Sequence, residues 1–379
     1  MTDELSIPPA PPPYGEGTLP DLASSLLGSL SVAEASNPLG LPETPRACLL
    51  IVDGLGWELL RDHPAAAPFL SELARDGYSL SAGFPSTTVT SLASLGTGRP
   101  PGEHGMLGYQ VAVPGTGRLL NGLRWDSRVD PTAWQPGPTI YERAAAAGLA
   151  AVWVGPGAFR KSGLTLAAMR GASYRRADTL GALVDQAGHA LRAADRGLVT
   201  VYVGSLDQTG HQHGCGSDAW YFQLGHVDKL AEQLASVLPS GTLLYVTADH
   251  GMVDIAPGGR VDVDEIGDLR KGVALVGGEP RARHVYAEPG AAADVLAVWR
   301  ELLGDRAWVV TREEAISNGW FGPVAVGMAE RVGDVVAAAA PGAAIIATQA
   351  EPLESKLIGM HGSLTPAEEL VPLLLHGAL

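Results

Sequence analysis

LVTVYVGSLDQTGHQHG, residues 198–214, opens on a largely apolar run, 198–206, and passes directly into an aspartate and two histidines. Continuous β-branched and aromatic residues, without polar alternation, mark a strand covered on both faces. LVTVYVGSL (198–206) has three counterparts in ACLLIV (47–52), AAVWVG (150–155) and TLLYVTA (242–248). Ala-rich and Leu-spaced stretches of helical character separate them, among them YERAAAAGL (141–149) and VDKLAEQLASVL (227–238), the second stopped by Pro239. Strand-length runs alternating with helices predict an α/β fold with a mainly parallel central sheet and helices on both faces.

The flanks differ from this core. Residues 1–45 open with the proline-rich SIPPAPPPYGEG and continue with DLASSLLGSL, which reads as an N-terminal arm with one short helix capped by Asp21. Residues 46–379 read as one domain, including an excursion at about 255–350 that is richer in Gly, charge and short strands (RHVYAEPG, RAWVVT, AIIATQ) and returns to the core at His361. This excursion is expected to be a smaller α+β unit.

Composition narrows the function. The 379 residues carry 26 Lys+Arg against 41 Asp+Glu, a net charge of −15 that repels phosphate backbones and anionic lipid, so nucleic-acid and membrane partners are not expected. The longest apolar run, VVAAAAPGAAIIA (335–347), is 13 residues with a proline inside it, too short to span a bilayer. The start, MTDELS, is acidic and lacks the basic and apolar regions of a secretory signal, and a cytoplasmic location is the expectation. Two cysteines, Cys48 and Cys215, suggest neither a disulfide framework nor a cysteine zinc site.

Acids and histidines fall where the strands end. Asp53 follows LLIV, Asp207 follows VYVGSL, and Asp249 with His250 follows LYVTA. Open α/β sheets bind ligands beyond the carboxyl ends of their strands, so three strands each deliver a metal-type ligand to one edge. Asp207 and His211 are four apart, which on a helical turn points both the same way; His213 is a nearby competitor. The same spacing at Asp185 and His189 lies inside a helix with no strand end before it, and reads as a solvated face. The glycine after Asp249-His250 leaves room for a divalent ion such as zinc or manganese. His361, in GMHGSLTPAEE before a helix capped by Ser363 or Thr365, completes the set.

GFPSTTVTSLASLGTGRPPGEHG (83–105) has a proline turn, a hydroxyl cluster, a short apolar helix and a Gly stop. A helix N-terminus presents free N–H groups and a partial positive charge suited to phosphate. A threonine hydroxyl becomes a nucleophile when a divalent cation lowers its pKa. The order VDGLG, hydroxyl cluster before GRPPGEHG, D-x-x-x-H, ADHGM and a late H-G resembles the alkaline phosphatase superfamily, especially its nucleotide pyrophosphatase/phosphodiesterase branch, over residues 47 to 370.

That resemblance implies two divalent metal ions, zinc in the first place with manganese or iron as alternatives. By similarity Asp207, His211 and His361 would hold one, and Asp53, Asp249, His250 and the nucleophile the other. The family nucleophile lies ten residues before the Gly of a T-G pair, here Gly98, which selects Thr88 over Thr87 and Thr90. The reaction implied is hydrolysis of a phosphodiester or nucleotide pyrophosphate bond through a phospho-threonine, on a small phosphate-ester or nucleotide substrate. Ser91 and Tyr109 are candidate substrate contacts; Tyr109, beside Gln110, stands where diester-cleaving members commonly have Asn. Arg283 and His284 read as surface residues that could approach substrate, and Trp125, Trp134, Trp153 and Phe84 are candidates to stack on a nucleobase. Sulfatase chemistry is disfavoured because neither cysteine has the C-x-P-x-R context. Rival readings are a phosphomonoesterase or phosphomutase on the same fold, or a silent metal-binding protein.

Overall fold

The computed structural model describes residues 9–377; the acidic start MTDELS lies outside them. Eleven strands build its two larger sheets: β1 (Arg46–Val52), β2 (Tyr78–Ser81), β3 (Ala150–Gly155), β4 (Ser173–Arg176), β5 (Gly197–Val203), β6 (Thr242–Thr247), β7 (Val273–Glu279), β8 (Ala282–Ala287), β9 (Ala307–Thr311), β10 (Val335–Ala339) and β11 (Leu370–His376). The central sheet has seven strands in the order β2-β11-β6-β1-β5-β3-β4. β6, β1, β5, β3 and β4 pair in parallel, and β11 is antiparallel to both its neighbours. Every residue of β5 and β6 is buried, as unbroken apolar runs in a sheet covered on both faces require.

The consequence for function lies in β6-β1-β5. These neighbours run the same way, so Asp53, Asp207 and Asp249 leave the sheet at one edge. The expected strand 198–206 ends earlier, at Val203: Gly204 turns the chain, and Ser205 already begins a helix, Ser205–His213, which carries Asp207 in its first turn. Main-chain bonds tie the ends together, Asp53 N to Val203 O at 3.0 Å and Asp207 N to Asp53 O at 3.1 Å. Gly54, at φ 77°, permits this approach, since a Cβ there would stand 3.0 Å from Asp207 Cα.

The helix at Leu19–Ser29 starts two residues earlier than DLASSLLGSL, with Thr18 as N-cap and Asp21 at the third helical position closing a capping box. Leu19, Leu22 and Leu26 are fully buried, and this helix packs on Thr88–Thr97. The excursion holds a second, antiparallel sheet, β7-β8-β10-β9, with helix Ala292–Leu303 against it and a core around Trp299, Val285 and Val335. The run 335–347 splits into β10 and a short strand, Ala344–Ile346; among the described residues no helix is long and apolar enough to cross a membrane. Cys48 and Cys215 are free.

Candidate active site

Three imidazoles share one device. Nδ1 of His211, His250 and His361 donates to a main-chain carbonyl, of Gly359 at 2.7 Å, Gly251 at 2.9 Å and Ser86 at 3.0 Å respectively. Each bond fixes the tautomer and turns Nε2 toward the carboxylates. His211 Nε2 lies 3.3 Å from Asp207 Oδ1 and His361 Nε2 lies 3.8 Å from the same oxygen, while His250 Nε2 is 3.3 Å from Asp53 Oδ1 and 3.6 Å from Asp249 Oδ2. The rings of His250 and His361 stack with centroids 3.6 Å apart. Gly251 admits the return segment at Ala367–Glu368, because a Cβ at 251 would meet Ala367 O at 2.0 Å.

The carboxylates are buried and incompletely bonded. Asp53 Oδ1, Asp207 Oδ1 and Asp249 Oδ2 have no hydrogen-bond partner among the described residues. Orphaned carboxylate oxygens at this depth are costly unless a cation meets them. Burial, then the neighbouring Asp53 charge, lifts the Asp207 carboxyl well above the usual range and Asp249 to about 7. Burial alone would depress His250, but Asp249, Asp53 and Asp207 outweigh it and raise the imidazole to about 10. His361 is held well below its ordinary value by burial and by His250 and His211. The donor atoms gather into two groups able to hold an ion, Asp207–His211–His361 and Asp53–Asp207–His250, each within 4.8 Å. The first is the expected set. The second shares Asp207 in place of Asp249, whose Oδ1 accepts Gly54 N at 3.2 Å and His250 N at 3.1 Å.

Thr88 begins the helix Thr88–Thr97, which closes on Gly98 in the left-handed conformation. Its hydroxyl stands 3.1 Å from His250 Nε2, on the carboxylate cluster. Thr87 is the N-cap, and the buried Thr90 and Ser91 hydroxyls have no hydrogen-bond partner. Ser91 lines neither of the two cavities that open on Thr88, whereas Tyr109 lines the smaller and donates to Glu354 Oε1 at 3.2 Å. His213 is exposed two residues past His211, and the Asp185–His189 pair, 3.1 Å apart, sits on an exposed helix face as its context predicted.

Other expectations are corrected. Arg283 and His284 are buried structural residues and not surface groups: Arg283 chelates Glu351 at 3.0 and 2.7 Å, and His284 bridges Leu107 O at 2.8 Å and Gly333 N at 3.1 Å. Strand β8 lies between β7 and β10, and groups from distant segments cover its side chains, Ile345 and Glu351 at Arg283 and Leu107 and Phe321 at His284. Of the four aromatics named for stacking, only Trp153 lines a cavity; Phe84 packs on Trp320 and Phe321, Trp134 lies under Arg331, and Trp125 donates to Val129 O.

Two cavities meet at Thr88, Leu123 and Asp207. The larger, about 730 Å³, is walled by Trp153, Phe159, Leu164, Met169 and Tyr202; the smaller, about 160 Å³, has Tyr109, Glu279, Glu354, Leu357 and Met360. Neither is lined by a Lys or Arg. Two site residues went unnoticed in the sequence. Tyr202, whose hydroxyl donates to Asp53 Oδ2, sits one residue before the end of β5, and that placement was the available signal. Glu279 ends β7 far from any motif, and nothing in the sequence marks it.

Comparison with known proteins agrees with this arrangement. Residues 47–364 match the family described as type I phosphodiesterase / nucleotide pyrophosphatase. A search of curated protein sequences found no match. Among solved structures the chain is similar to murine ectonucleotide pyrophosphatase / phosphodiesterase 5, in an inactive variant complexed with AMP, at 18% identity and TM-score 0.69 over 88% of both chains. It is also similar to phosphonoacetate hydrolase from Sinorhizobium meliloti 1021, in complex with phosphonoformate, at 19% identity and TM-score 0.66 over 89% of this chain and 91% of that one. With its strand-end carboxylates, its three oriented imidazoles and a family match spanning most of its length, the chain belongs to the type I phosphodiesterase / nucleotide pyrophosphatase family, phosphoryl-transfer hydrolases of the alkaline phosphatase superfamily.

Proposed function

We propose that the protein is a two-metal phosphodiesterase that cleaves its substrate through a phospho-threonine at Thr88. The observation that carries this reading is the meeting of Thr88, three imidazole Nε2 atoms and three orphaned carboxylate oxygens at one sheet edge. The donor set fits the metals that the family resemblance implies: carboxylate and imidazole without thiolate suits zinc, manganese or iron, and we favour zinc. Asp207, His211 and His361 would hold one ion; Asp53, His250, Asp249 and the Thr88 hydroxyl would hold the other. Bound there, the ions would supply Lewis-acid stabilisation and reverse the local negative field for an anionic substrate.

The chain's own groups do the rest. With its Nδ1 proton committed to Gly251 O, His250 leaves Nε2 as the nitrogen that would hold the ion, and the Thr88 hydroxyl stands 3.1 Å from it, beside the same cluster. The Thr88 oxygen forms a bond to phosphorus as the bond to the leaving oxygen breaks, the hydroxyl proton being lost to solvent and the leaving oxygen taking one up; water oxygen then bonds to phosphorus as the Thr88 oxygen departs, and a proton from that water restores the hydroxyl. Two cavities diverging from Thr88 give each ester substituent its own room, which favours a diester over a monoester. The absence of lining Lys or Arg disfavours substrates with additional anionic groups, a polyphosphate tail or a carboxylate. A cytoplasmic location is the reading that the two unpaired cysteines support, and fractionation of source cells tests it.

The deciding measurement is turnover of bis(p-nitrophenyl) phosphate beside p-nitrophenyl phosphate by zinc- or manganese-loaded protein. Diester preference in the wild type, lost with turnover in Thr88→Ala, is the expected outcome. Preference for the monoester, or a Thr88→Ala variant that still turns over, would overturn it.

A further inference from the structure

The proline-rich arm has no part in the hydrolysis described above, yet it ends against the loop that carries the nucleophile. Its chain turns at Tyr14, with Tyr14 N donating to Pro12 O at 2.8 Å and Glu16 N to Pro13 O at 3.0 Å. Asp21 locks this turn. Its Oδ2 accepts the main-chain N–H groups of Gly15, Gly17 and Thr18 at 3.1, 3.1 and 2.9 Å, and the Thr18 hydroxyl at 2.6 Å. The helix that follows, Leu19–Ser29, is itself fixed by packing on Thr88–Thr97. Tyr14 therefore reaches the loop from a rigid base.

The Tyr14 ring is half-buried, and its hydroxyl lies between the nucleophile loop and the excursion, accepting from Phe84 N at 3.1 Å and donating to Trp320 O at 3.0 Å. Burial lifts that hydroxyl well above its ordinary pKa, so the donated proton stays in place. Gly83 and Gly322 make the room: both lie in the left-handed region, at φ 92° and 66°, and a Cβ would stand 2.9 Å from the Tyr14 oxygen at the first and 3.1 Å from Tyr14 Cδ2 at the second. Beyond Phe84 the same loop runs to the site. Ser86 N donates to Gly362 O at 3.1 Å, Ser86 O receives His361 Nδ1 at 3.0 Å, and Thr87 caps the helix that Thr88 begins. Phe84, Ser86 and Thr87 are all buried, so a shift at one end of this short segment is carried to the other. Without the Tyr14 oxygen, the Phe84 N–H would be a buried donor that must move to find another partner.

We propose that Tyr14 is a positioning residue for Thr88: its hydroxyl pins the loop to the excursion and so sets where the nucleophile stands. The arm then belongs to the catalytic apparatus. This inference rests on the phosphodiesterase reading above.

The test is Tyr14→Phe, which keeps the ring and removes the bridge. On zinc-loaded protein with bis(p-nitrophenyl) phosphate, kcat/KM at matched zinc content is expected to fall about ten- to a hundredfold, the scale on which a misplaced reacting group loses rate. Calorimetric affinity for methylphosphonate, which occupies the site without reacting, is expected to stay within about twofold of the wild type. A readout without turnover is amide hydrogen exchange, in which the Phe84 amide is expected to be protected in the wild type and to lose about tenfold or more of that protection in the variant. Should Tyr14→Phe fail to fold, Asp21→Asn, which loosens the turn and leaves the hydroxyl in place, is expected to lower kcat/KM about threefold or more with methylphosphonate affinity unchanged. A kcat/KM that stays at the wild-type value overturns the positioning role and leaves the phosphodiesterase standing. So does a parallel fall in kcat/KM and methylphosphonate affinity, the mark of a general distortion, or an unprotected Phe84 amide in the wild type. No turnover by the wild-type protein overturns the phosphodiesterase reading and the positioning role with it.

Discussion

At the scale of single residues, the site is organised by what lies just behind the donor atoms. Each histidine places its Nδ1 proton on a backbone carbonyl, an acceptor that no side-chain substitution can remove. Asp53 is different, because one oxygen faces His250 and the other receives the Tyr202 hydroxyl. That hydroxyl is itself buried, and burial together with the Asp53 charge keeps it protonated far above neutral pH. Tyr202 is therefore a permanent donor that orients Asp53. Removing such a partner behind a metal ligand commonly weakens binding by about 10–100-fold. Tyr202→Phe is expected to lose about tenfold in zinc affinity, measured by competition with a chromophoric chelator, while its circular dichroism stays that of the wild type. Unchanged affinity would mean that Asp53 is held by its main chain alone.

Elements decide what the sequence could disclose. The four apolar strands and the acids at their ends were legible because each signal is local: a run buried on both faces, then a ligand at the first turn beyond it. Strand context separated Asp207–His211 from Asp185–His189, whereas His213 stayed a competitor of His211 in the sequence and only the helix Ser205–His213 shows it exposed. Arg283 and His284 were misread because the groups that bury them come from distant segments, Ile345 and Glu351 for the one and Leu107 and Gly333 for the other, which no local pattern encodes. Glu279 was invisible for the same reason. The return segment to His361 rests on another such non-local device. Glu368 receives Arg281 Nε at 2.9 Å and Ser363 N at 3.0 Å, with both side chains fully buried, so one acid pins the excursion's hairpin to the His361 loop. Breaking a buried pair from one side strands a charge, at about 3–5 kcal/mol. Glu368→Ala should lose stability on that scale in denaturant titration and should also weaken metal binding through His361. A loss under about 1 kcal/mol would show that water reaches Arg281 and replaces the pair.

For the molecule as a whole, the net charge of −15 and the buried acids act together on the metal-free protein. Burial raises Glu279 to about 8 and, with Glu368 nearby, Glu369 to about 8; Asp249 stands at about 7 and His250 at about 10. All four hold protons in the folded state at pH values where the unfolded chain has released them, so each contributes stability that is lost as pH rises through its folded value. The buried histidines with depressed values, His104 at about 3 and His284 at about 4, act the other way, but their effect is complete once the unfolded imidazole deprotonates near 6.5. Above that point every resolved contribution has one sign, and growing negative charge adds to it. The melting temperature in chelator is therefore expected to fall steadily between about pH 6.5 and 9, by up to about 1.4 kcal/mol per pH unit for each acid titrating. Zinc binds the deprotonated ligands and stabilises by mass action, so its addition should raise the melting temperature most at the alkaline end and flatten the profile. Glu279 and Glu369 lie outside the proposed ligand set, and Glu369→Gln should flatten the chelator profile without removing the zinc response. A melting temperature in chelator that is level or rising from pH 6.5 to 9 would mean that these acids are already ionised in the fold, and that the cluster tolerates its own charge without a cation.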